Sequence, residues 1–339
     1  MDNFFGNAIG EAYKLGKQEQ ERRKNSPVLV KWPDIQKQLA ERKHVYVIDP
    51  RLGFNNRTHR LWYDRIPPES EDGREWMDLG HRHTVEAIIY FLKGHGHSII
   101  DGVRYDWEAG DLLSVPMFSW HRHINDGKEE VLRIASTTNP LSISLGQAVY
   151  EDERYPEFWV YAQEGEDAQK TLIPGGAGAN GVVDGSADSG AAKLYAEQVA
   201  FAMKEEKLRR ASKVLVKKGD IKLERTAMGN LAYVVDPRIG FHSKALAVVV
   251  AEIPTGKRSG AHRHLYDEID LVEKGQGRIV VDDKEYEFST GDVLSIPVFA
   301  WHQYFNTGNE PLRIVGISTR PALENLGLVL THQGELADH

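Results

Sequence analysis

The sequence predicts an all-β protein made of two tandem jelly-roll barrels, with accessory helices before the first and between the two. The first observation behind this is an internal repeat. "VYVIDPRLGF" at 45–54 returns as "AYVVDPRIGF" at 232–241, "HRH" at 81 returns at 262, and "GDLLSVPMFSWH" at 110 returns as "GDVLSIPVFAWH" at 291. The last two motifs are displaced by the same 181 residues, from 81 to 262 and from 110 to 291, so the spacing between them is kept without an insertion. The second observation is local. Short runs rich in β-branched and aromatic residues ("SPVLVKW", "HVYVID", "EAIIYFLKG", "HSIIDG", "DLLSVP", "EVLRIAST") are punctuated by Gly, Asp-Gly and Pro, the pattern of a barrel or sandwich of short strands.

Taken in order, residues 1–27 form an N-terminal helical segment, with its helix over 8–24. Residues 28–150 are the first barrel, 151–211 a connection, and 212–339 the second barrel. The connection contains "PGGAGANGVVDGSADSGAAK" at 174–193, too poor in apolar residues to offset the entropy of ordering. After it, Leu194, Val199, Ala200, Met203 and Leu208 recur at helical spacing and predict a helix leading into repeat two. "DPRLGF" and "DPRIGF" read as structural turns.

Composition excludes several function classes. With 339 residues and 41% hydrophobic content the chain can bury two cores. A net charge of −8 offers no basic field for nucleic acid. There are no cysteines, so disulfides, thiolate metal sites and thiol nucleophiles are absent, and His and carboxylates are the ligands left for a metal. The N-terminus lacks the features of a signal peptide, and "ALAVVVAEI" at 245–253 is too short to span a bilayer. No membrane association is expected, and the cytoplasm is the expected compartment.

In a strand, alternate side chains share a face, so His81 and His83 point together into the barrel while Arg82 points away. His121 supplies a third imidazole, and the arrangement recurs as His262, His264 and His302. Both repeats resemble cupins. "GHRHTVEAIIYFLKGHG" and "AHRHLYDEIDLVEKGQG" are similar to the first cupin motif, and Gly110, Pro116, His121, Asn125 with Gly291, Pro297, His302, Asn306 to the second. The resemblance implies a metal site inside each barrel. The acid that completes many such sites is Glu268 in repeat two, whereas the aligned position in repeat one is Ala87; Glu86 aligns with Asp267 and by alternation faces away from His83.

Site one is therefore His81, His83 and His121, and site two His262, His264, Glu268 and His302. A three-histidine site leaves a divalent ion with its full charge, which favours a chelating anion and then dioxygen. This pattern resembles the ring-cleaving bicupin dioxygenases that act on gentisate, salicylate and 1-hydroxy-2-naphthoate. The resemblance implies Fe(II), with Mn, Ni, Cu and Zn also compatible with these ligands. It further implies a small hydroxylated aromatic acid and O2 as partners, a homo-oligomer, often a tetramer, and His123 as a proton-handling catalytic residue.

One departure concerns the substrate carboxylate, because the arginine that the family places two residues after the aligned Ala is here Ile89. Arg60, Arg65 and Arg74 are the candidate replacements. Trp120 is a candidate pocket wall for a planar substrate, or simply a core aromatic, as is Trp301. His95 and His97 read as turn and surface residues, and Arg82 and Arg263 as outer-face ion pairs or subunit contacts. Two alternatives stand beside the dioxygenase: a decarboxylase- or quercetinase-like enzyme working at site two, and a non-enzymatic bicupin binding protein. Against the first, no acidic lid segment is evident; against the second, a fold kept only for structure has no use for six inward histidines.

Overall fold

A computed structural model describes residues 4–68, 80–152 and 190–338. Its strands form four sheets, two per repeat, and every strand pair is antiparallel. In repeat one a large sheet carries Ala87–Lys93, Val131–Thr137, Arg60–Ile66 and His44–Ile48 side by side, and a smaller one carries His81–His83, His121–Asn125, His95–Ile100 and Val103–Glu108. Repeat two has the same plan, with Glu268–Lys274, Leu312–Ser318, Ala247–Ile253 and Gly229–Val235 in the large sheet. His262–His264, His302–Asn306, Gln276–Val281 and Lys284–Ser289 lie in the small one. The two-barrel reading holds.

The large sheets are buried on both faces. One face of each lines its barrel, and the other packs on the partner sheet, so one apolar cluster mixes Ile48, Leu61 and Ile134 with Val248, Leu271 and Ile317. Double burial explains why "AIIYF" at 87–91 is buried at every position rather than at alternate ones.

The repeats also exchange strands. Leu29–Val30 pairs with Val293 and Leu294 of repeat two, and Leu215–Val216 pairs with Leu112 and Leu113 of repeat one. A buried aspartate holds each exchanged segment. Asp292 accepts from Trp32 N at 2.7 Å and Lys31 Nζ at 3.0 Å, and Asp111 accepts from Lys218 N at 2.9 Å and Lys217 Nζ at 2.6 Å.

"SPVLVKW" therefore contributes only a two-residue strand. It runs straight into the helix Trp32–Glu41, with a proline in its first turn and Ile35 and Leu39 buried one turn apart. The expected helices are Phe4–Lys24 and Gly190–Arg210; most of the predicted linker lies outside the described residues. "DPRLGF" and "DPRIGF" are turns, each with its aspartate accepting from the arginine N–H two residues on and a glycine at positive φ, 91° at Gly53 and 99° at Gly240.

Glu86 is nearly fully buried and joins the repeats. It accepts from the backbone N–H groups of Lys244, Ala245 and Leu246 and from Ser243 Oγ. Asp267 returns the contact, accepting from Arg57 N at 2.7 Å and Thr58 N at 2.8 Å. The acid that follows each His-x-His motif and is not a metal-ligand candidate thus ties down a loop of the other repeat.

Candidate metal centres and active site

In each barrel the first histidine of the pair stands opposite the third, His81 facing His121 and His262 facing His302 across the sheet. The ring centroids in site one are 4.2 Å (His81 to His121), 4.8 Å (His83 to His121) and 5.6 Å (His81 to His83) apart. In site two the corresponding separations are 4.0, 5.1 and 5.4 Å. Within each set the potential ligand atoms all lie within 4.8 Å of one another.

Backbone carbonyls fix the tautomers. His83 Nδ1 donates to Val85 O at 2.8 Å and His121 Nδ1 to Ser119 O at 2.7 Å; His264 and His302 do the same to Tyr266 O and Ala300 O. A carbonyl can only accept, so in each neutral ring the proton sits on Nδ1 and the Nε2 lone pair is left for another partner. His302 Nε2 is buried with no hydrogen-bond partner among the described residues. These donors fit a divalent first-row metal.

Burial disfavours the charged ring at four of these histidines. It pushes His83 down to about 3 and His262 down to about 4, and holds His121 and His302 well below the ordinary histidine value. Glu268 Oε2 lies 2.9 Å from His264 Nε2. Burial by itself would raise Glu268, but the three surrounding histidines hold it well below the usual carboxylate range.

The surroundings of the two sites differ in sign. Site two carries a second buried acid, Asp270, which accepts from the Tyr304 hydroxyl and is held well above its ordinary value by burial and by Glu268. Tyr304 occupies the position of His123, and Asp270 that of Ile89. Site one opens into a cavity of about 240 Å3 lined by His44, Arg60, Trp62, Arg133 and Tyr150, among others. Ala87, Ile89 and His123 also face it, whereas the site-two cavity is about 370 Å3.

His123 is buried, and its Nδ1 lies 2.7 Å from Ser98 Oγ, which accepts from Trp107 Nε1 at 2.9 Å. Gly96 permits this arrangement, since a Cβ there would lie 2.6 Å from the Trp107 ring and 2.1 Å from Ile124 O.

Of the arginine candidates, Arg60 lines the cavity, and its guanidinium lies over Tyr46 and Trp62 at 4.8 and 5.3 Å. Arg65 is on the opposite strand face, paired with Glu130 at 3.0 Å. Arg74 lies outside the described residues. Trp120 is not in the cavity lining; it and Phe118 stack on Arg82, which pairs with Glu151. His97 corrects its surface reading: it is buried and bonded to Asp126 at 2.8 Å. Sequence reasoning missed Arg133 and His44. Arg133 had a legible signal, a charge in "EVLRIAST" on the same strand face as Ala135 and Thr137.

The cupin domain model matches residues 68–137 and 249–318, spanning the ligand-bearing strands of both barrels. The chain carries two cupin domains in tandem. This bicupin is 26% identical over 253 residues to 1-hydroxy-2-naphthoate 1,2-dioxygenase of Nocardioides sp. (strain KP7), covering 74% of this chain and 61% of that protein. It is 22% identical over 256 residues to gentisate 1,2-dioxygenase 1 of Aquipseudomonas alcaligenes, covering 73% and 67%. The bicupin thus spans about three-fifths of the length of the first of these relatives. Salicylate 1,2-dioxygenase of Pseudaminobacter salicylatoxidans shares its fold, with a TM-score of 0.62 at 16% identity over 91% of this chain and 87% of that one.

Proposed function

We propose that this bicupin is a ring-cleaving dioxygenase of a hydroxylated aromatic acid, working at site one with Fe(II) held by His81, His83 and His121. The observation that carries this is the pairing of a three-histidine set with a cavity lined by two arginines and one aspartate, set against a site two that carries Glu268 and Asp270. The relatives named for 1-hydroxy-2-naphthoate, gentisate and 5-aminosalicylate support the substrate class. Bound there, the metal supplies a Lewis-acidic, redox-active centre at which a chelating substrate and dioxygen meet.

The chain's own residues do the rest. Ala87 adds no charge where Glu268 does in site two, so the site favours an anionic substrate. Trp62, Tyr46 and Ile89 give a planar ring apolar and aromatic walls. Trp107 donates to Ser98, whose hydroxyl proton can then turn to His123 Nδ1; this leaves the His123 ring proton on Nε2, from which it can be given to an oxygen of the substrate.

Site two, with His262, His264, Glu268 and His302, holds a second metal in this reading, and its complete ligand set is what favours the alternative of a site-two enzyme. The two barrels over 28–150 and 212–339 are the working domains, with one site each. A homo-oligomer is supported by Leu194, Tyr195 and Phe201, all more than 60% exposed on the helix Gly190–Arg210. Among the described residues no helix is long and apolar enough to cross a membrane, and the cytoplasm is the proposed compartment.

The test is oxygen consumption by anaerobically Fe(II)-loaded protein with gentisate, salicylate, 5-substituted salicylates, 1-hydroxy-2-naphthoate and hydroquinone, with absorbance followed for a ring-opened product. Uptake with a carboxylated substrate supports the proposal. No uptake across the panel with metal bound refutes it and points to site two.

A further inference from the structure

We propose that the floor of the site-one cavity, Arg133 with His44 and Asp64, recognises a second anionic or strongly accepting substituent on the aromatic substrate, at the end of the ring remote from the metal-binding group. This rests on site one as the substrate site.

The strand register sets the depth. Ala87, Thr137 and Arg60 stand side by side, level with the ligands, because the site-two counterpart of Ala87 is Glu268. Ile89, Ala135, Trp62 and Tyr46 form the next row and give the ring its wall. Arg133, Asp64 and His44 form the row below, four residues or about 13 Å along the strand from Thr137. Ile89 lies in the apolar middle row, and the guanidinium of Arg133 belongs to the floor row beneath it.

The floor has donors to spare. Arg133 is 7% exposed, and its Nε and Nη2 are bonded to Asp64 at 2.6 and 3.2 Å, but its Nη1 is buried without a partner among the described residues. Both ring nitrogens of His44 are buried in the same condition. A buried guanidinium N–H without a partner costs free energy, so an acceptor that the substrate brings to it is stabilised there.

The duplication supplies an internal control. In repeat two the same register positions are Ile314, Ala251 and Leu231, an apolar trio in an otherwise equivalent barrel. The fold therefore does not require a buried ion pair there, and replacing such a pair by packed apolar groups is often neutral or stabilising. Repeat one keeps the polar trio at the bottom of the one cavity in which site-one substrate would sit.

The experiment is an anaerobic titration of the full chain loaded with redox-inert Zn(II), following tryptophan fluorescence, with 5-carboxysalicylate and 5-methylsalicylate. These share the chelating group and differ only at the remote position. The expected result is at least about tenfold tighter binding of the carboxylated compound, and loss of that preference in the variant carrying His44→Leu, Asp64→Ala and Arg133→Ile, the residues of repeat two. Arg133→Lys, which keeps the charge for Asp64 but loses the fork, should lose most of it. Absence of the preference in the native chain, its survival in the triple variant, or failure of the triple variant to fold would each overturn the proposal, the last by showing that the trio serves packing. Turnover is not needed for this readout: a binding preference without oxygen uptake sinks the dioxygenase reading alone, and uptake without preference sinks the floor alone.

Discussion

Glu86 and Glu268 sit one residue apart in the aligned motifs, and the structure gives them opposite jobs. Replacing Glu86 by alanine removes the acceptor of three backbone N–H groups and one hydroxyl in the loop Ser243–Leu246. Leu246 and Ser243 are buried and Lys244 and Ala245 half-buried, so water can rescue two of the four donors. Ser243 Oγ also reaches Leu246 O, so one buried donor, the Leu246 N–H, is left unsatisfied at about 1–3 kcal/mol, and with a smaller loss at the half-buried pair the destabilisation is roughly 2–3 kcal/mol. Glu86→Gln, which keeps one accepting oxygen, should lose about half of that.

The assay is urea unfolding followed by tryptophan fluorescence, with metal content measured on the same preparations. The mirror variant Asp267→Ala should behave in the same way, since Asp267 caps Arg57 and Thr58. A loss under about 1 kcal/mol for Glu86→Ala, or loss of site-one metal from a chain of native stability, would show that the acid serves the metal and not the seam between repeats.

Three further outcomes are expected. His81→Ala should abolish oxygen uptake, while Glu268→Ala should remove about one equivalent of metal per chain; elemental analysis with an oxygen electrode separates the two, and the reverse pattern moves the chemistry to site two. His123→Ala should keep the site-one metal yet lower turnover by about a hundredfold, and unchanged turnover removes it from proton handling. His59 is buried at the seam between the repeats, and burial pushes it down to about 4 from 6.5. Its contribution to stability is fully present above pH 6.5 and is lost as pH falls toward 4, because the unfolded chain takes up the proton first, a difference of roughly 3 kcal/mol. His59→Phe should flatten the fall in urea midpoint between those pH values, and an unchanged slope refutes it.

The sequence by itself determined the duplication, the barrel class and both sets of candidate metal ligands. These are local properties: His-x-His on one strand fixes two inward imidazoles by alternation alone, and the constant 181-residue displacement places the third histidine in each repeat. It also determined that Glu86, one residue out of phase with Ala87, faces away from the three histidines. The tertiary structure decided everything that depends on which strands become neighbours. That Leu29–Val30 belongs to the sheet of repeat two, that Arg60 faces the cavity while Arg65 does not, and that Trp120 lies outside it all follow from pairings between distant segments. Arg133, Asp64 and His44 come from three strands and meet only because antiparallel register sets them in one row. Periodicity reports the face a side chain occupies; only packing reports what stands opposite it.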